Sequence, residues 1–200
     1  LSKFIDLFEK YGLQVDCPDI SRGNEIYLNY VNTEKETVLL NYFVEPTREL
    51  FEEYSNVESI HLNSSRPCVI CSKDYSFIAS NKEELTVKEV IKLPFLMFNE
   101  GYDMALPIYE WLEGQGTLNI VGKYSNITVM MTMMEKGKGV AVGAEKEMLG
   151  SLKTVENLSK LKFRVIPIKC DIRISLLLCF NRRIAPEQRK ILWQIAKEIR

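Results

Sequence analysis

Five cysteines and one histidine are the residues best suited to metal or redox chemistry, and their spacing argues against both. Cys17, Cys68, Cys71, Cys170 and Cys179 are odd in number and follow no disulfide-framework rhythm. Free thiols suit a reducing cytoplasm. Cys68-Val-Ile-Cys71 has the spacing of a metal or redox pair, but it lies in an apolar run with a strand's composition. An odd separation on a strand sends the two sulfurs to opposite faces. No second such pair occurs and His61 is the sole histidine, so the two cysteines read as small core residues and no metal is expected. His61 itself reads as a partly exposed strand residue. Nucleophilic, zinc-hydrolytic and phosphate-binding signatures (GxSxG, HExxH, the Walker loop) are all absent. The 27 carboxylates include no pair set apart by its surroundings. Gly137-Lys-Gly139 precedes an apolar run, whereas the dinucleotide fingerprint follows a strand and opens a helix. It therefore reads as a helix stop and tight turn. Asn126-Ile-Thr128 matches a glycosylation sequon, which has no meaning in the cytoplasm. No catalytic residue and no cofactor are expected, so the chain does not read as an enzyme.

The elements that carry these residues alternate in type. The 200 residues suffice for one domain or two small lobes. Twenty-six Lys and Arg against 27 Asp and Glu leave a net charge of -1, which argues against this segment gripping nucleic acid. No stretch approaches the roughly 20 apolar residues of a membrane-spanning helix. The chain begins at Leu1 and not at Met, so an upstream part is expected. Phe4, Leu7, Phe8 and Tyr11 predict an amphipathic helix stopped by Gly12. Glu25 to Val31 is rich in strand formers. Thr33-Glu-Lys-Glu36 has the form of a capping box, which predicts a helix over Val38 to Phe43. Pro46 opens a further helical pattern. Strands are expected at Pro67–Ser72, Phe95–Phe98, Leu118–Val121, Val140–Val142, Phe163–Ile168 and Arg173–Phe180. Helices are expected after Thr86, after Asp103, after Ser125 or Asn126, and from Pro186. Alternation of this kind favours an α/β fold.

Four pieces of this order carry a family likeness. They are Leu85–Phe98 (LTVKEVIKLPFLMF), Leu118–Val142 with its Gly137-Lys-Gly139-Val-Ala141 turn, Phe163–Arg183, and the helix after Ala185-Pro186-Glu187. Together they resemble the effector-binding domain of LysR-type transcriptional regulators, over roughly residues 25 to 200. Ala144 stands where that family usually has Pro.

The resemblance implies an α/β fold of two Rossmann-like lobes joined by two crossovers, as in periplasmic binding proteins of type 2. Lobe one would hold residues 1–92 and 168–200, lobe two residues 93–167, with crossings near Pro94 and Pro167. It also implies a winged helix-turn-helix DNA-binding domain upstream, a homodimer or higher homo-oligomer, a cytoplasmic location, and a small polar or anionic effector in the cleft between lobes. Helix N-termini offer such an effector free N–H groups and partial positive charge. The residues expected around it are Asn99, Glu100, Gly101 and Tyr102 after one strand, and Ser125, Asn126 and Thr128 at a helix start. Gly143 and Ala144 in a turn, and Asn29 at a strand end in lobe one, complete the set. A stand-alone solute-binding protein of a transporter, built on the same fold, is the alternative.

Overall fold

The computed structural model describes residues 2–12, 24–45, 51–98, 105–154 and 162–199. Its elements run α1 (Ser2–Lys10), α2 (Asn24–Thr33), β1 (Val38–Val44), β2 (Val57–Ser65), β3 (Pro67–Ser72), β4 (Leu85–Thr86), α3 (Val87–Val90) and β5 (Pro94–Phe98). They continue with α4 (Leu106–Glu113), β6 (Asn119–Tyr124), α5 (Ile127–Glu135), β7 (Ala141–Ala144), α6 (Glu145–Thr154), β8 (Phe163–Lys169), β9 (Ile174–Asn181) and α7 (Pro186–Ile199). The chain forms two compact units. Unit 1 comprises Leu1–Phe43, Thr47–Ser64 and Ser175–Arg200; unit 2 comprises Val44–Pro46 and Ser65–Ile174.

Unit 1 is built on a sheet ordered β1-β9-β2. All eight residues of β9 are buried, as a central strand covered on both faces requires. Leu28 and Val31 of α2 pack with Phe43, Val57, Leu177 and Cys179. The C-terminal carbonyls of α2 are satisfied from the sheet. Buried Asn181 donates through Nδ2 to the carbonyls of Val31 (2.8 Å) and Asn32 (3.0 Å), and its Oδ1 accepts from Arg183 N–H at 2.9 Å. Helix α1 lies on α7, where Glu198 accepts from Tyr11 Oη at 2.6 Å and pairs with Lys10 at 3.2 Å.

Unit 2 centres on β3, whose six residues are all buried. It pairs antiparallel with β8 on one edge and β7 on the other, and β4 adds parallel to β8. β5 and β6 form a parallel pair, joined to the approach of β7 by a bridge between Phe95 and Val140. Two glycines make that bridge possible. Gly137 takes φ +69 where α5 ends. A Cβ on Gly139 would stand 2.7 Å from the Pro94 carbonyl, so only glycine lets the chain approach β5 there. The expected helix stop and tight turn is therefore what the Gly137-Lys-Gly139 motif makes. Met130 and Met134 of α5 pack on Cys68, Ile70, Leu96, Ala141 and Phe163. The methionine run is core, and α4 buries Ile108, Tyr109 and Leu112.

Three expectations are overturned. Residues 25–31 are helical, not extended: Leu28 and Val31 are the buried positions, at helical spacing, while Tyr30 is 52% exposed. Thr33 ends that helix, its hydroxyl donating back to the carbonyls of Asn29 and Tyr30. The residues Thr33–Glu36 therefore close one helix and do not open the next. Val38–Val44 is accordingly strand β1, paired in the sheet beside β9. The crossings also fall elsewhere. Pro94 and Pro167 both lie inside unit 2, because β3 and β4 are bonded to β7 and β8 and travel with the middle segment. Apart from the short Val44–Pro46 segment that belongs to unit 2, the chain passes between units at Ser64–Ser65 and at Ile174–Ser175. The helix expected from Pro46 and the cap expected at Asp103 begin outside the described residues.

The capping box at Thr86 is formed as expected. Glu89 N–H donates to Thr86 Oγ1 (3.4 Å), and Glu89 Oε2 accepts from Thr86 N–H (2.8 Å). Glu89 also pairs with Lys82 at 2.7 Å. The Lys82 hydrogen bond, then those from Thr86, pull the Glu89 carboxyl from 4.5 to about 2. Its contribution to stability is thus complete above the unfolded value and is lost as pH falls from 4.5 toward 2. Carboxyl NMR titration is expected to show that low midpoint in the native chain and a rise toward the ordinary value in Lys82→Ala. Asn181→Leu, which orphans two helix carbonyls and a backbone N–H, is expected to cost about 2–3 kcal/mol in urea unfolding.

Candidate functional site

Ser125, Asn126 and Thr128 come together at the start of α5, at the end of β6. Asn126 is extended (φ -124, ψ 118) and caps the helix, its Oδ1 accepting from Thr128 N–H at 2.9 Å and Val129 N–H at 3.2 Å. The first intrahelical bond runs from Met130 N–H to the Asn126 carbonyl. Two first-turn donors are thereby committed, and those of Asn126 and Ile127 remain. All three polar side chains are exposed. The Ser125 and Thr128 hydroxyls make no hydrogen bond as donors among the described residues. Ile127 and Val129 beside them are 49% and 45% exposed, which gives the turn an apolar margin.

The helix carries no acidic residue in its first turn. Its positive end is therefore not neutralised from within, which favours an approaching anion. The start of α6, also in unit 2, is the opposite case. It carries Glu145 and Glu147 in its first turn. Buried Ser65 accepts from Lys146 N–H at 2.9 Å, and the Arg66 carbonyl accepts from Glu145 N–H at 2.9 Å. Arg66 then grips the Glu145 carboxylate with two bonds, 2.9 and 3.0 Å, and reaches Glu84 at 3.4 Å. This group was not legible beforehand: the partners lie 79 residues apart in sequence, and only the pairing of β3 with β7 brings them together.

Gly143 and Ala144 lie in no turn. They are the last residues of β7, opposite Cys68 and Pro67, and both are buried. Gly143 offers its carbonyl to the Cys68 thiol at 3.2 Å. The strand runs through them because β3 extends far enough to pair with both. Asn29 is not at a strand end: it is an exposed residue of α2 whose carbonyl serves Thr33. Asn99, Glu100, Gly101 and Tyr102 lie outside the described residues. A surface hollow does exist in unit 2, lined by Glu113 to Leu118 at the α4–β6 turn, but none of the expected site residues borders it.

His61 is an exposed residue of strand β2, as read from the sequence, with Nε2 2.7 Å from Ser64 Oγ. Cys68, Cys71 and Cys179 are buried and Cys170 is half-buried, all as free thiols. Burial raises each of them, Cys179 to about 12, and raises Cys68 furthest. Cys17 lies outside the described residues. Among those described, no group of three or more His, Cys, Asp or Glu is placed to hold a metal ion, and no helix is long and apolar enough to cross a membrane.

Two α/β units, each assembled from separate segments of the chain, place the fold in the class of two-lobed binding domains related to type 2 periplasmic binding proteins. The sequence pattern of the LysR substrate binding domain matches residues 47–167, and the chain belongs to that family. No curated protein matches it. Among solved structures, the C-terminal domain of a probable LysR family transcriptional regulator from Rhodococcus sp. RHA1 is similar at 10% identity and TM-score 0.64, over 97% of this chain and 90% of that one. The reduced form of the OxyR regulatory domain from Pseudomonas aeruginosa is similar at 13% identity and TM-score 0.66, over 99% and 87%. The effector-binding domain of QuiR in complex with shikimate is similar at 11% identity and TM-score 0.60, over 89% and 78%. At such identities the likeness is one of fold. These are effector-binding domains of regulators, and nothing in them favours the transporter-linked alternative.

The thiol environments carry a direct expectation. In the native chain, Cys68 and Cys179 should resist alkylation at pH 8 and gain no sulfenic acid under dilute peroxide, whereas both react fully once unfolded. Peptide mass spectrometry after quenched labelling checks this.

Proposed function

We propose that this chain is the ligand-sensing part of a LysR-type regulator, taking a small polar or anionic effector at the start of α5. The reading is carried by the family match over residues 47–167. It is supported by a helix start whose positive end has no acidic residue in its first turn. In this reading the hydroxyls of Ser125 and Thr128 and the N–H groups of Asn126 and Ile127 face the effector, while the Asn126 side chain stays a cap. Asn99, Glu100, Gly101 and Tyr102, which follow β5 in sequence, contribute as well, with Gly143 and Ala144 from the end of β7 and Asn29 from unit 1. The effector lies in the cleft that the family resemblance implies.

Binding makes and breaks no covalent bond. It shifts the population of arrangements of a homodimer or higher oligomer, and so the spacing of the winged helix-turn-helix domains upstream. Those domains meet DNA in the cytoplasm.

A thermal-shift screen of small carboxylates, phosphates and polyols tests the proposal. A ligand at 100 times its dissociation constant stabilises the folded chain by about 2.7 kcal/mol. Ser125→Ala and Thr128→Val are expected to abolish a hit's shift and leave the unliganded midpoint nearly unchanged. Asn126→Ala is expected to lower the unliganded stability by about 1 kcal/mol, as loss of a cap does. Hits whose shifts survive Ser125→Ala and Thr128→Val would place the effector elsewhere.

A further inference from the structure

Helix α7 of unit 1 buries Leu192, Ile195 and Ala196 and turns its other side to solvent. There Lys190, Trp193 and Lys197 recur at i, i+3 and i+7 and form one stripe. Trp193 is 40% exposed, and both lysines are exposed. A shallow hollow runs along the stripe, bordered also by Arg189, Gln194 and Glu198.

The charges around this hollow are not equivalent. Arg189 is committed elsewhere: it pairs with Glu58 at 3.1 Å, donates to the Arg182 carbonyl at 2.7 Å, and lies 5.8 Å from the centroid of the Phe180 ring. Glu198 is neutralised by Lys10 at 3.2 Å and accepts from Tyr11 Oη at 2.6 Å. Lys190 and Lys197 have no ion pair among the described residues, and the Trp193 indole N–H has no acceptor there. The uncommitted charge of the hollow is therefore positive, and the polar groups that Trp193 and the two lysines leave unused are all donors.

We propose that this face of α7 docks an acidic amphipathic helix of a partner protein, with an apolar side chain against Trp193 and carboxylates on Lys190 and Lys197. Seven residues of helix set the two lysines about 10 Å apart along the axis. Carboxylates two turns apart on the partner, one on each side of an apolar residue, match that spacing. A central tryptophan with a polar rim is the arrangement in which a few residues carry most of a binding energy. Two cations are too few for a nucleic-acid backbone or an anionic bilayer, each of which engages many charges at once. The start of α5 belongs to unit 2, so docking on α7 is a separate event from effector capture.

Panning the whole chain against a random peptide display library, then titrating the enriched peptides by fluorescence anisotropy, tests this. The enriched peptides are expected to carry Asp or Glu at i and i+7 around an apolar residue. Trp193→Ala should weaken their binding about tenfold or more. Lys190→Gln combined with Lys197→Gln should weaken it about fivefold at low salt, a difference that salt erases. The thermal midpoint of each variant reports whether the fold is kept; should Trp193→Ala not fold, the paired lysine variant, confined to exposed side chains, decides. Four outcomes would each overturn the proposal. They are enriched peptides that lack acids, affinities unchanged in the variants, self-association in sedimentation that Trp193→Ala abolishes, and Trp193-dependent binding of a single-stranded oligonucleotide or phosphatidylserine vesicles tighter than that of the peptides. None of these measurements uses an effector, so failure of the sensing role is read separately in the ligand screen.

Discussion

A strand buried on both faces and flanked on both edges cannot be satisfied locally. β3 is such a strand: its six residues are all buried, and its backbone N–H and C=O groups need partners on each side. Those partners are β8 and β7, supplied by segments that follow it much later in the chain. This single requirement gathers unit 2. It draws Gly143 and Ala144 against Cys68 and Pro67, brings Glu145 within reach of Arg66, and sets the lead of β7 beside β5 through the Phe95–Val140 bridge. β9 plays the same part in unit 1, with β1 and β2 on its edges. Because β3 follows β2 after one residue, and β9 follows β8 after a short turn, the two central strands also fix where the chain changes units.

Features governed by neighbours in sequence were legible, and features governed by partners across the fold were not. The Asn126 cap, the Thr86 box, the Gly137-Lys-Gly139 turn and the buried runs of β3 and β9 each follow from a few adjacent residues. The type of residues 25–44 did not. Tyr and Val favour strands, yet helix α2 forms because Leu28 and Val31 at i, i+3 meet Phe43 and Leu177 and because Asn181 satisfies its final carbonyls. Tertiary burial outweighs a propensity worth tenths of a kcal/mol per residue. The crossing points were misplaced for a related reason. A proline marks a break in a helix, but it says nothing about which sheet the next strand joins.

The same distinction governs the site. Ser125, Asn126 and Thr128 could be named from a capping pattern, since a cap and an anion-binding turn use the same donors. Which helix start remains open to a ligand is a different question, settled by what already sits there. The starts of α5 and α6 both have side-chain caps, Asn126 and Ser65. Of these two, only α6 also carries its own acids, Glu145 and Glu147, with Arg66 balancing the first. A ligand carboxylate arriving at α6 would meet two like charges and would have to compete for a guanidinium already held by two bonds. At α5 it would meet a partial positive charge with no acid in the first turn, two uncommitted N–H groups and two hydroxyls. Electrostatics alone therefore separates two ends that look alike in sequence.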